Sequence, residues 1–371
     1  MITCYRRQIA VGQGGLHFGI IKYPYEYMGI KSYNRFAYLY DCGCSGGKKD
    51  IQECINFVVS ELYKLENLNY FYIFISHVHS DHINGLPLLV ERIQNLNIPH
   101  QPVFVLPYMT EAEKLIQIGG LSFEDDEYGI SFLENPRNII PDDFDIQYLN
   151  DIESAYIQPK SPSYVIPEPN FNGILSHNDR FQFGILNNFT WVLSPYYYRI
   201  KHCLLRQLNT ELNNANITLN NFRQRDYLRK LRAIYMKYRC NLNLSSLCLY
   251  SGTNMPVNHL HTGWLHTGDI NFFDSNAFAG FINHYDNFAD NVRVMQIPHH
   301  GSKQNSELKH FEHFHNIATL FITTSANTNG YGIPNVSSEY LDSGHILLLT
   351  EDNRDIWSFE KTNGIIWSNF A

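Results

Sequence analysis

The chain lacks several features that would assign a class at once. No apolar run approaches the roughly 18 residues needed for a membrane-spanning helix. The opening residues, MITCYRRQIAVGQGG, contain no apolar stretch of signal-peptide length. Cysteine is sparse: seven residues in 371, at Cys4, Cys42, Cys44, Cys54, Cys203, Cys240 and Cys248. The number is odd and the spacing scattered, which is not the pattern of a disulfide framework. Cys42-Gly43-Cys44 is too close for the usual zinc knuckle and has no second half. Basic residues are in deficit, 28 Lys+Arg against 36 Asp+Glu, a net charge of −8. That excludes a protein coated all over with positive charge for nucleic acid, though not a local basic patch. No internal repeat of solenoid or propeller period is visible. These absences predict a soluble, cytoplasmic protein with free thiols and no membrane partner.

What is present is core material and histidine. Hydrophobic residues make up 44% and aromatics 14%, which excludes a disordered chain. The length fits two domains or one elaborated domain at about 150 residues each, and the expectation is a single domain over 1–371. The 17 histidines outnumber Met and Trp combined, so their positions carry the argument.

Strand-like stretches open the chain: RRQIAVG, LHFGIIKY and FAYLYDCG, the last ending at Asp41. Residues 50–66 have helical apolar spacing. Tyr70–Ser76 (YFYIFIS) is wholly apolar until its last residue, as suits a strand buried on both faces. It runs directly into His77-Val-His79-Ser-Asp81-His82, after which INGLPLLVERIQNL begins a helix. PVFVLPY at 102–108 reads as another buried strand. The alternation indicates a layered α/β architecture. The last third returns to short apolar runs: SSLCLYSG, GWLHTGDI, VRVMQIPHHGS, ATLFITTSA, HILLLT and DIWSFE.

Between them the charge separates. Residues 111–153 contain 12 acidic and 2 basic residues, net −10; residues 196–239 contain 10 basic and 2 acidic, net +8. The second stretch predicts two helices, about 199–214 and 220–238. The expectation is an insertion over about 111–240, acidic at 111–153 and basic and helical at 196–239. Its helices read either as a solvated face or, if they face the site, as a platform for a phosphate backbone, with Arg225, Arg229 and Arg232 among its contacts.

Three imidazoles and a carboxylate within six residues, at the carboxyl end of a buried strand, make chemical sense around a metal. On a tight loop His77 and His79 can serve one ion, and Asp81 and His82 a second. Asp269 ends the run GWLHTGD, and His299 and His300 follow VRVMQIP. Each follows an apolar strand, so each can reach the same sheet edge. Imidazole with carboxylate suits zinc, manganese or iron.

These residues carry a resemblance to the metallo-β-lactamase fold superfamily. More narrowly, the chain resembles the hydrolase domain attached to the DNA-uptake channel of competent bacteria, and its stand-alone relatives. The matching segments are Val11-Gly12-Gln13-Gly14, Tyr40-Asp41-Cys42-Gly43, His77–His82, Leu265–Asp269, Ile297–Ser302 and Asn329–Pro334. The resemblance spans roughly 5–110 and 240–360. It implies a four-layer αββα sandwich with two divalent ions, Zn or Mn, at one edge. It also implies that Asp41 holds a metal-bound imidazole, Asp269 bridges, and one of His299 and His300, with His300 slightly favoured, completes the second ion. The other would lie near substrate, with Ser302, Asn329 and Tyr331. Asp81 and Asp41 are the residues expected to support catalysis.

The sequence departs from the resembled pattern at three places. Gly15 stands where the subgroup has Asp. No separate third-histidine motif is visible between 110 and 240; His177 is the loop candidate, and Asn241–Ser246 resembles the polar stretch that replaces that histidine. Ile333 stands where the subgroup has a histidine thought to contact substrate or leaving group. His259, His261 and His266 read either as lining the site or as decorating a hairpin, the hairpin being favoured.

The expected activity is metal-assisted hydrolysis of a phosphodiester such as DNA or RNA, with metals lowering the pKa of a bridging water. The alternatives are hydrolysis of a small ester, thioester or amide, and an effector of a defence or toxin system that depends on a regulatory protein partner. A homo-oligomer is also compatible with the sequence.

Overall fold

The computed structural model describes residues 3–27, 30–44, 51–65, 68–96, 101–122, 126–150, 164–165, 174–176, 180–186, 189–198, 202–238, 246–254, 262–302, 304–314, 319–324, 346–349 and 356–361. In chain order the strands of the first half are β1 (Thr3–Gln8), β2 (His17–Tyr27), β3 (Ile30–Tyr40), β4 (Leu68–Phe74), β5 (Val103–Pro107) and β6 (Asp145–Asn150). Then come β7 (Tyr164–Val165), β8 (Ile174–Ser176), β9 (Arg180–Leu186) and β10 (Phe189–Tyr197). The remaining strands are β11 (Leu247–Thr253), β12 (Gly263–His266), β13 (Val292–Gln296), β14 (Leu320–Thr324), β15 (Ile346–Leu349) and β16 (Ile356–Lys361). The helices are α1 (Ile51–Tyr63), α2 (Ser80–Ile83), α3 (Leu86–Gln94), α4 (Glu111–Gly120), α5 (Glu127–Glu134), α6 (His202–Asn214), α7 (Arg225–Tyr238) and α8 (Ser275–Tyr285).

Two eight-stranded sheets form, ordered β16-β1-β2-β3-β4-β5-β6-β8 and β15-β14-β13-β12-β11-β10-β9-β7. Strand alternation sorts the side chains between layers. On β3 and β4, Phe36, Tyr38, Tyr40, Tyr72 and Phe74 face the second sheet, where they meet Trp191, Leu193, Tyr197, Leu247 and Leu249. Ala37, Leu39, Phe71 and Ile73 face outward into a core shared with Val58 of α1, Leu89 of α3, Ile116 of α4, Leu208 of α6 and Leu231 of α7. On the far side α8 packs Phe281 and Tyr285 against Tyr196, Tyr250 and Phe321. The result is helices, sheet, sheet and helix, the αββα sandwich that the resemblance implied.

Local chemistry explains the breaks. The helix expected to follow the His motif is two pieces, α2 and α3, joined through Asn84 and Gly85. Pro87 lies in the first turn of α3, where its missing N–H leaves no hydrogen bond unmade. Thr110 and Glu113 cap α4 reciprocally: the Thr110 hydroxyl accepts the Glu113 N–H, and the Glu113 carboxylate accepts the Thr110 N–H at 2.7 Å.

The stretch 111–240 differs from its reading as one insertion. β6 pairs with β5, and β10 pairs with β11 over seven residues, so parts of this stretch belong to both sheets. The helical excursion is α6 and α7, which lies between the antiparallel partners β10 and β11. The segments of opposite charge also touch each other. Arg223, in the turn before α7 rather than within it, donates to Glu134 at 2.8 Å and to Glu127 at 3.0 Å. The Leu219 N–H donates to Glu111 at 2.9 Å, and α7 packs on α4. Part of the charge separation is therefore matched within the molecule.

Among the described residues no helix is long and apolar enough to cross a membrane. The described cysteines are free thiols, four of them buried; Cys240 lies outside the described residues.

Leu193 tests the interface between the sheets. It is fully buried there, and Leu193→Ala is expected to cost about 2–5 kcal/mol through lost transfer energy and cavity formation. Urea denaturation measures that loss, and metal uptake by the folded variant should be unchanged.

Candidate metal centre

The parallel strands of each sheet bring their carboxyl ends to one edge. β3 delivers Asp41, β4 the His77–His82 loop, β12 Asp269, and β13 His299 and His300. Both α/β sheet edges thus contribute to one site, where such folds place ligands.

Asp41 organises the first sheet's share. It has a φ of 58° and is fully buried. Its Oδ1 accepts the Ser76 N–H at 2.7 Å, and its Oδ2 accepts the Ser76 hydroxyl at 2.8 Å. The same Oδ2 accepts from His82 Nδ1 at 2.8 Å. Since the Ser76 hydrogen goes to Asp41, Ser76 Oγ accepts from His77 Nδ1, 2.9 Å away. In the neutral form needed to hold a metal, both rings therefore carry hydrogen on Nδ1 and present Nε2 lone pairs inward. His300 reaches the same state by donating from Nδ1 to the Thr324 carbonyl at 3.0 Å.

Around Asp269 the inward atoms fall into two groups. Its Oδ2 lies 3.3 Å from His77 Nε2 and 3.5 Å from His299 Nε2. His77 Nε2 in turn lies 3.0 Å from His79 Nδ1. Its Oδ1 lies 3.5 Å from His82 Nε2 and 3.9 Å from His300 Nε2. The latter two nitrogens are 3.4 Å apart, and Asp81 Oδ2 is 3.2 Å from His300 Nε2. Ligands at about 2.0–2.1 Å on a tetrahedral ion stand about 3.3–3.4 Å from each other, so these separations fit a shared cation in each group. Asp269 Oδ1 is buried with no hydrogen-bond partner among the described residues, an acceptor that a cation would satisfy. His77, His82 and Asp269, and likewise Asp81, His82 and His300, could each hold a metal ion.

The proton equilibria reflect the same crowding. Burial opposes a charge on His82, but Asp41, Asp81 and Asp269 outweigh it and push its pKa up to about 10. Burial opposes a charge on Asp269 too, yet His299, His77 and His82 hold it well below the ordinary carboxylate range. Burial likewise disfavours the Asp81 carboxylate, but His82 and His300 bring its pKa down.

Neighbouring backbone completes the frame. Gly15 N–H donates to Asp81 O, Gly43 N–H to Gly15 O, and Cys42 N–H to His82 O. Gln13 Nε2 donates to Asp81 Oδ2 at 3.3 Å. A Cβ on Gly15 would stand 2.7 Å from Asp41 Cβ and 3.1 Å from His82 Nδ1, which explains why this position has no side chain. A Cβ on Gly268, whose φ is 52°, would clash with Ser246 Oγ, the hydroxyl that accepts the Asp269 N–H at 3.0 Å. Ser246 was readable only as part of a polar stretch; its role follows from the turn before Asp269.

Other expected site residues fall elsewhere. Ser302 is buried, and its hydroxyl accepts the Gln304 N–H in a turn, so its polar atom serves the loop rather than an open cleft. Arg225, Arg229 and Arg232 are exposed on α7, in the outer helical layer. His266 neither lines the centre nor decorates a hairpin surface. It is buried between the sheets, 4.1 Å from the His17 ring and 4.9 Å from the Tyr40 ring. Burial, with Arg6 nearby, lowers its pKa to about 3. His177, Arg239, Asn241, Asn243, Ser245, His259, His261, Asn329, Tyr331 and Ile333 lie outside the described residues.

A family model described as the metallo-beta-lactamase superfamily matches residues 30–179. The matched span includes Asp41 and His77–His82; Asp269, His299 and His300 lie beyond it and join them through the fold. No curated protein matches the chain. The family match implies a metal-dependent hydrolase, and the two-sheet α/β architecture is consistent with that family's sandwich.

Gly15→Ala should displace the Asp41 carboxylate and lower metal affinity about 10–100-fold, the range for groups that orient ligands; calorimetric titration with zinc checks it. In metal-free protein, His82 titrates higher than its unfolded value of 6.5. Its contribution to stability is then complete below about pH 6.5 and lost as pH rises through about 10. The melting temperature of metal-free protein should fall across that window, and His82→Gln should flatten the slope.

Proposed function

We propose that the protein is a binuclear metal-dependent hydrolase acting on phosphodiesters, a phosphodiesterase or nuclease. The observation that carries the binuclear reading is the placement of Asp269, with one oxygen toward His77 and His299 and the other toward His82 and His300. In this reading His77 and His79 serve the first ion, Asp81, His82 and His300 the second, and Asp269 both. Zinc and manganese suit this donor set. The phosphodiester assignment is supported by the resemblance of the sequence motifs to those of the competence-associated hydrolase domain.

Two divalent ions at this position supply a water activated near neutral pH and charge stabilisation for a leaving oxygen. The protein's own share is orientation. Asp41 and Ser76 hold His82 and His77 in the tautomer whose Nε2 faces inward, and Thr324 does the same for His300. Gln13 steadies Asp81. We assign Arg225, Arg229 and Arg232, all exposed on α7, as contacts to a polyanionic backbone.

A second reading, hydrolysis of a small ester, thioester or amide, is favoured by a groove at the end of β5, next to the strand that carries His77. Leu106, Tyr108, Lys114, Phe132, Leu133 and Tyr148 line it. Its volume of about 210 Å³ is below the roughly 300–1,000 Å³ of ordinary ligand pockets, so it ranks second.

Elemental analysis should find two ions per chain. A screen of bis-nitrophenyl phosphate, single-stranded DNA, RNA and small esters, each with Zn and Mn, should give turnover on phosphodiesters that chelation abolishes. An Asp81→Ala, His82→Ala variant should lose at least 100-fold; full activity in it would refute the metal mechanism, and turnover confined to small esters would favour the second reading. Reversing Arg225, Arg229 and Arg232 to Glu should weaken nucleic-acid binding and flatten its salt dependence, while leaving hydrolysis of the small phosphodiester unchanged.

A further inference from the structure

The two halves of the centre are unequally supplied. The second gathers Asp81, His82 and His300 with Asp269. The first has two imidazoles, His77 and His79, and the other oxygen of Asp269. A four-coordinate ion there lacks one protein ligand unless water takes the place. Between residues 101 and 245 the sequence offers two histidines. His202 opens α6 in the outer helical layer, and His177 lies outside the described residues.

His299 faces this half. Its Nε2 lies 3.5 Å from Asp269 Oδ2, the oxygen that His77 Nε2 approaches to 3.3 Å. His300 instead faces Asp269 Oδ1 and Asp81. Two adjacent histidines point into opposite halves, and both adopt left-handed backbone, φ 50° and 53°. Such a conformation is costly for a side-chain-bearing residue, of order 1–3 kcal/mol each, and persists where the surroundings impose it. The His299 N–H is fixed by the Gly268 carbonyl at 3.0 Å.

The tautomer of His299 is fixed as well. Asn305 is buried, and its Nδ2 donates to the Asp269 carbonyl at 3.1 Å. That contact orients the amide, so the atom 2.7 Å from His299 Nδ1 is Oδ1, an acceptor. Nδ1 therefore carries a hydrogen, and Nε2 faces the first half. One side chain thus holds the backbone of the bridging carboxylate and the ring beside it. The donor–acceptor arrangement matches that of His77 and His300, whose Nδ1 hydrogens go to Ser76 and Thr324.

We propose that His299 is the third imidazole of the first ion, with Asn305 as its positioning residue. The pair His299-His300 then serves both ions, one residue each, and neither is reserved for substrate. This inference rests on the binuclear reading above.

The test uses the full chain, loaded separately with Zn and with Co. Wild type should bind two ions. His299→Gln, checked for folding by circular dichroism, should weaken one of two zinc-binding events at least 10-fold in calorimetry. In a His77→Ala background, which already weakens the first ion, His299→Gln should leave the remaining event unchanged, whereas His300→Ala should weaken it. His299→Cys places a thiolate at the same position, and its Co-loaded form should show a thiolate-to-cobalt charge-transfer absorption that Co-loaded wild type lacks. Two ions in wild type with undiminished zinc binding by His299→Gln, or no new absorption in His299→Cys, would overturn the assignment of His299 alone. Failure of wild type to take up two ions would overturn the binuclear reading and this inference together.

Discussion

The Asp41 carboxylate is the constraint on which the rest of the centre depends. It ends β3, receives Ser76 from the end of β4, and holds His82 from α2. Two adjacent parallel strands and the helix after the second are thereby locked at one point, where a charge is wholly removed from water. A buried carboxylate is tolerated when its oxygens are hydrogen-bonded and a cation stands near. Here Ser76 and His82 supply the hydrogen bonds, and the positive charge would come from a proton on His82 in metal-free protein or from a bound ion beside it. That requirement explains the absence of a side chain at Gly15 and the inward aim of two rings.

The second sheet supplies the complementary half by the same logic with different donors. Asp269 and the two histidines after β13 are set by backbone carbonyls and by Asn305. Neither half is a site alone. The first brings imidazoles and one carboxylate; the second brings the carboxylate with an oxygen for each group. The polar layer between the sheets extends behind them. Arg6 lies buried over Trp191 and Trp264, and His17 bonds Tyr38 at 2.9 Å, so this interior is aromatic and polar where the core shared with α1, α3, α4, α6 and α7 is mostly aliphatic.

Sequence reading placed the strands correctly where a wholly apolar run met a polar turn, because burial on two faces and a polar sheet edge both leave strong marks. β4 with His77–His82, β12 with Asp269 and β13 with His299 and His300 were legible for that reason. α8 was missed, although Asp274 caps it through two backbone N–H groups and Phe278, Phe281 and Tyr285 repeat at helical spacing. β6 and β10 were hidden inside a region judged by its charge, and charge composition says little about pairing partners. His266 shows the limit of alternation: the pattern separates two faces of a strand, but only the second sheet reveals that this one is closed. The opposed charges of the middle region were visible, while their partial mutual neutralisation through Arg223 needed the packing of α7 on α4.

The wide separation of the ligands along the chain has a consequence for biosynthesis. His82 and His300 meet across 218 residues, and the Thr324 hydroxyl donates to the Gly14 carbonyl across 310. A chain emerging from the ribosome exposes the histidine-rich loop long before Asp269 and the residues after β13 exist. Until the second sheet closes, that loop would be an incomplete chelator, without the Asp269 oxygens. High contact order of this kind also slows folding. On the proposed reading, full metal loading would therefore wait until β13 and the two histidines after it have been made.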